Sequence, residues 1–94
     1  MIDPVHANNY PTAELQKDIE ARRKDVVSLE WAITENNAEI ENMLTLREQF
    51  DAAAIDKDVA ARRERNGKHA WEIVQHNKAI EKMSMLVAAK EAVR

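Results

Sequence analysis

The chain has 94 residues, one glycine, two prolines, no cysteine and a net charge of −3 with both signs well mixed. The missing cysteines exclude a disulfide framework and thiol chemistry, and the absence of a basic excess argues against nucleic acid as a partner. A body dominated by Ala, Glu, Lys, Arg, Leu and Ile predicts one all-α domain.

Residues 1–11, MIDPVHANNYP, form an arm of different character. They show no basic segment followed by an apolar run, so no signal peptide is expected. No later stretch reaches the roughly 18 apolar residues of a membrane span, and a cytoplasmic protein is expected. Asp-Pro, Asn-Asn and Tyr-Pro favour extended or turn backbone. Such an arm is expected to be floppy, as termini often are, unless Tyr10 folds onto a helix or closes over a bound molecule.

The rest, residues 12–94, repeats itself. Residues 21–43, ARRKDVVSLEWAITENNAEIENM, align without gaps on residues 61–83, ARRERNGKHAWEIVQHNKAIEKM. Nine of the 23 positions are identical; chance gives about two. The likeness extends outward to copies spanning 13–46 and 53–86, with Lys17-Asp18 meeting Lys57-Asp58. Two copies are too few for a solenoid and suit two helices folded back on each other.

Thr12 is the expected N-cap of a first helix over residues 13–49, and Asp51 that of a second helix from Ala52. Asn66-Gly67 is the one break signal in the body. It reads either as a kink within one long helix or as a reversal that makes three helices. The kink is preferred, because the equivalent Val26-Val27 contains no breaker.

A heptad frame runs through both copies. Its a and d positions in the first include Leu15, Ile19, Val26, Leu29, Ile33, Ile40, Met43 and Phe50, interrupted by Arg22, Asn36 and Arg47. In the second they include Ile55, Val59, Ile73, Ile80, Met83 and Val87, interrupted by Arg62, Asn66, His69 and His76. The fold expected is a long antiparallel, coiled-coil-like hairpin. Residues whose numbers add to about 101 then lie at one height across it. Trp31 falls level with Trp71, Arg22 and Arg23 with Glu81, and Arg62 and Arg63 with Glu41.

These levels name the candidate site residues. The arginine pairs read as ion-pair partners of the opposite copy's glutamate, or as forks for a phosphate or carboxylate. Trp31 and Trp71 occupy f positions, away from the seam, and need cover. That cover is either a second interface in a homo-oligomer or a flat ligand stacked on the indole. Asn37 and Asn77, six residues beyond each Trp, read as register-setting amides or as ligand contacts. His69, Glu72 and His76 share one helix side, but their spacing fits no closed metal site, and none is expected. With no phosphate loop and no nucleophile–base pair, neither a cofactor nor enzymatic activity is expected.

Tyr10 on its arm, a long helix, and then WEIVQHNKAIEKMSMLVAAKEAV over residues 71–93 resemble the phage-encoded helical-hairpin sponges of cyclic oligonucleotide signals of the anti-CBASS type. The resemblance implies an oligomer that binds ligand between protomers. Tyr10 would stack on a base and Lys24 would contact phosphate. His76-Asn77 stand where that family tends to have Arg-Thr.

The expectation from the residues is a non-enzymatic interaction or inhibitor module, of a kind common among viral accessory proteins, acting as a homo-oligomer on a protein partner. The alternative is a sponge for an anionic nucleotide-like ligand. Tyr10, Arg22, Arg23, Lys24, Trp31, Asn37, Arg62, Arg63, Trp71, His76 and Asn77 are its candidate contacts.

Overall fold

The computed structural model describes residues 1–93; Arg94, the last residue of the expected domain, lies outside them. A short 3₁₀ helix, Pro4–Asn9, precedes helix α1, Thr12–Leu46, and helix α2, Ala52–Ala92. The two helices run antiparallel in a hairpin measuring 66 × 18 × 15 Å. At 1.5 Å per residue the 41 residues of α2 account for about 61 Å of that length. No helix among the described residues is long and apolar enough to cross a membrane.

The ends of the helices are set by local chemistry. Pro11, not Thr12, is the N-cap of α1; its carbonyl accepts from Glu14 and Leu15, and no side chain caps the helix. Proline's fixed φ and missing N–H suit the chain entering at this point, and Thr12 is drawn into the first turn. α1 ends at Leu46 rather than 49, and residues 47–51 make the reversal. Phe50 is therefore outside the seam and exposed. Asp51 caps α2 as expected, its carboxylate accepting from the amides of Ala53 at 3.0 Å and Ala54 at 3.3 Å.

Beside the turn, Arg47 donates two 2.7 Å hydrogen bonds to Asp56. These hold the Asp56 carboxyl below its usual range, and Asp56 raises the guanidinium in turn. Because the folded-state value of Asp56 is the lower one, the stabilisation is present above the ordinary carboxylate pKa. It is lost as pH falls through the depressed value. Asp56→Asn is expected to flatten the acid side of the stability–pH curve and leave the neutral-to-alkaline side unchanged in shape, as read by thermal melts from about pH 7 to about pH 2.

α2 continues through Asn66-Gly67 without interruption, and no described residue, Gly67 included, has positive φ. A methyl group built on Gly67 meets open space. Gly67→Ala is therefore expected to stabilise the hairpin by about 1 kcal/mol, the ordinary helix-propensity difference. A chemical-denaturation midpoint that falls instead contradicts an unbroken helix here.

The seam follows the heptad frame. Leu15, Ile19, Val26, Ile40, Val59, Met83 and Val87 are buried along it. The densest packing is at the open end. There the arm's Ala7 is fully buried among Leu15, Ile19, Ala79, Met83 and Val87, with Ile2, Tyr10, Ile80 and Leu86 around them. Asp3 caps the arm's 3₁₀ helix through the Val5 amide, and Lys90, at the end of α2, donates to the carbonyls of Asn8 and Tyr10. The arm is thus a docked part of the core and not a floppy terminus. The small Ala7 side chain lets the backbone of the arm approach the helices closely.

Candidate functional site

Three groups of side chains carry the polar chemistry of the hairpin. The first lies at the arm. Arg22 is at a d position, 8% exposed. Its Nε donates to Asp18 at 2.8 Å, its Nη2 to the Ile2 carbonyl at 2.7 Å, and its Nη1 lies 3.1 Å from His76 Nδ1. Asp18, also buried, accepts from the Ile2 amide at 3.3 Å. His76 Nε2 lies 3.9 Å from Asp25. One guanidinium thus ties together both helices and the arm, and it is satisfied at every nitrogen.

The second group fills the middle of the seam. Asn36 donates to Asn66 at 3.0 Å, Asn66 donates to Asn37 at 2.9 Å, and Arg62 donates to Asn36 at 3.3 Å. Arg62 Nε faces Asp58 at 3.9 Å, too long for a hydrogen bond, and His69 Nδ1 is buried without a partner. A polar layer of this kind fixes register at some cost in stability.

The two groups are related by the duplication. Arg22 reaches position 76 of the other copy, and Arg62 reaches position 36 of the other copy; 36 and 76 are equivalent across the forty-residue offset. The expected arginine–glutamate pairs are not formed. Among the described residues no ion pair joins Arg22 or Arg23 to Glu81, or Arg62 or Arg63 to Glu41. Arg22 and Arg62 point into the seam, whereas Glu41 and Glu81 are at b positions outside it. The carboxylates they find instead are Asp18 and Asp58, one turn earlier on their own helices.

The third group is the pair of outer edges. Trp31 is 63% exposed and Trp71 is 65% exposed. Cross-helix contacts at Arg22–His76, Asn36–Asn66 and Arg47–Asp56 hold one register along the whole hairpin, their numbers adding to between 98 and 103. The two indoles are therefore level, as expected. Each f position points away from the other helix, so they stand on opposite edges of a two-helix ribbon. Within one helical turn, exposed Val27 accompanies Trp31 and exposed Val74 accompanies Trp71.

The candidate contacts do not gather in one place within a single chain. Tyr10 is half-buried in the open-end core. Arg23 lines shallow grooves with Glu20, and Lys24 pairs with Glu20 at 3.6 Å. Trp71 borders an open groove of about 470 Å³ with Pro4, Arg22, Glu72, Gln75 and His76. Arg63 and Asn77 are exposed, and Asn37 is held by Asn66. Asp18, Asn36 and Asn66 were not among the expected site residues. Their signals were present: Asp18 precedes Arg22 by four residues in a repeated motif, and Asn36 and Asn66 interrupt the heptad frame. No protein-family model, curated protein or solved structure matches the chain.

Proposed function

We propose that the protein is a non-enzymatic interaction module that works as a homo-oligomer and blocks or bridges a protein partner. The observation that supports this most is the pair of level, exposed tryptophans. Exposed indoles flanked by further exposed apolar side chains are what interfaces use as anchors, since an indole buries a large area and keeps one polar handle. A two-helix ribbon has no interior left in which to hide them. The hairpin itself, locked by Arg22 and by the asparagine layer, supplies a stiff frame on which the two edges are held.

Light scattering across concentration tests the reading. A mass that is a multiple of the single chain supports it; a monomer at high concentration overturns the interface role of Trp31 and Trp71.

A second reading, a sponge for an anionic nucleotide-like ligand held between protomers, is favoured by the groove in which Trp71 stands beside Arg22 and His76. The hydrogen bonds of Arg22 to Asp18, Ile2 and His76 weigh against that guanidinium as the phosphate contact. In an assembled form the exposed Arg23 or Lys24 of a neighbour would have to supply it. Strong quenching of tryptophan fluorescence by cyclic oligonucleotides supports this reading, and no response across a panel of them removes it.

A further inference from the structure

Within the reading of Trp31 and Trp71 as self-association anchors, we infer that the assembly is head-to-tail: the α1 edge of one copy seats on the α2 edge of the next.

The two edges differ in charge. From Asp25 to Leu46, α1 carries five carboxylates, Asp25, Glu30, Glu35, Glu39 and Glu41, and no lysine or arginine. From Arg63 to Lys82, α2 carries five bases, Arg63, Arg65, Lys68, Lys78 and Lys82, against three carboxylates. Most of these charges have no partner within the chain. Among the described residues, Glu30, Glu35, Glu39 and Glu41 enter no ion pair, nor do Arg63, Arg65, Lys78 and Lys82. An edge packed on its own kind sets like charges against each other, which disfavours that pairing. An α1 edge packed on an α2 edge joins acidic to basic.

The register of the hairpin makes the same pairing geometrically direct. Because Trp31 and Trp71 are level within one chain, a neighbour displaced sideways, pointing the same way, brings its Trp71 level with the first copy's Trp31. Glu35 and Glu39 then come level with the neighbour's Arg65 and Arg63. Like charges also fall at common heights, Arg23 and Lys24 with Lys78, Glu20 with Glu81 and Glu30 with Glu72; of these, Lys24 is turned toward Glu20 of its own helix at 3.6 Å.

Such an interface uses two different patches, so it is heterologous. It propagates from copy to copy until the rotation per step closes a ring, or continues as a fibre. Every copy then donates Trp31 to one neighbour and Trp71 to the other.

Two single variants and their mixture test this. Trp31→Lys places a base against the basic edge of a neighbour, and Trp71→Ser removes the indole from the other patch without adding a carboxylate that the lysine of the first variant could pair with. Both positions are exposed, and unchanged helical dichroism confirms that each variant folds. In light scattering, each variant alone is expected to lose the assembly and run as a monomer. An equimolar mixture retains one intact interface, Trp31 of one variant on Trp71 of the other, and is expected to give a two-chain complex that grows no further. If either variant alone still assembles, or if the mixture stays monomeric while the wild-type chain assembles, the head-to-tail arrangement is wrong and self-association stands. A monomeric wild-type chain overturns both.

Discussion

Arg22→Ala is expected to lower the stability of the hairpin by about 3–5 kcal/mol, the range seen when one member of a buried ion pair is removed. The size follows from what the substitution strands. Asp18 stays buried with its main partner gone, the Ile2 carbonyl loses its donor, and His76 loses its contact across the seam. Total stabilities of small domains are about 5–15 kcal/mol, so the loss is a large share of the whole. The loss should show in the urea midpoint. Hydrogen exchange on the folded fraction should show a specific signature: loss of protection in the arm, around Ile2 to Ala7, before loss in the helices. Arg22→Lys should fall between, since an ammonium supplies charge without the three directed bonds of the fork. A midpoint shift below about 1 kcal/mol, the value of an exposed pair, contradicts the network.

The second large effect belongs to the open-end core. Met83 is 0% exposed, whereas Met85, two residues on, is 67% exposed. Met83→Ala is expected to cost about 2–5 kcal/mol from lost burial and the cavity left among Leu15, Ile19 and Ala7. Met85→Ala should change monomer stability by no more than about 0.5 kcal/mol. Thermal or urea unfolding of the two variants side by side reads the helix phase directly. Equal costs, or a reversal of their order, contradict the seam. Leu15→Ala should match Met83→Ala, and the double variant should lose less than their sum, because the two side chains share one cluster.

Much of this frame is written in the sequence. The heptad positions and the forty-residue offset together specify which faces meet and at what register, because period and level are properties of the whole helix. Asp51 was legible as a cap since a carboxylate before Ala-Ala-Ala has little else to do. One long second helix through Asn66-Gly67 is the preferred reading of the sequence, and it is what forms: the helix on both sides is held by the seam, Asn66 finds Asn36 and Asn37 there, and a glycine's propensity cost of about 1 kcal/mol is too small to interrupt it. What escaped depends on local competition. Arg22 and Arg62 were assigned to glutamates by height alone. Their inward direction decided otherwise, and the repeated aspartates at i−4 were nearer.

The arm was hidden for a different reason. Nothing periodic marks Ala7 as a buried residue, and its fit depends on Ala79, a small side chain contributed some seventy residues later. The equivalent of Ala79 in the first copy is Glu39, which is exposed. A carboxylate in place of a methyl group offers no seat of the same kind, so the duplicated halves have diverged at the very position that receives the arm. The tryptophan edges were legible as exposed positions; that they face opposite ways follows only once the hairpin is closed.

The most direct test is a distance. The chain has no cysteine, so Lys24→Cys and Lys78→Cys can carry spin labels at two exposed f positions that the hairpin places level on opposite edges. Diluted with unlabelled wild-type chain, the doubly labelled protein should give one distance of about 20–30 Å, two helices at 8–10 Å spacing plus the label arms. A reversal of the chain at Asn66-Gly67, or helices that do not fold back on each other, would place the labels more than about 35 Å apart, and the account of both edges would be wrong.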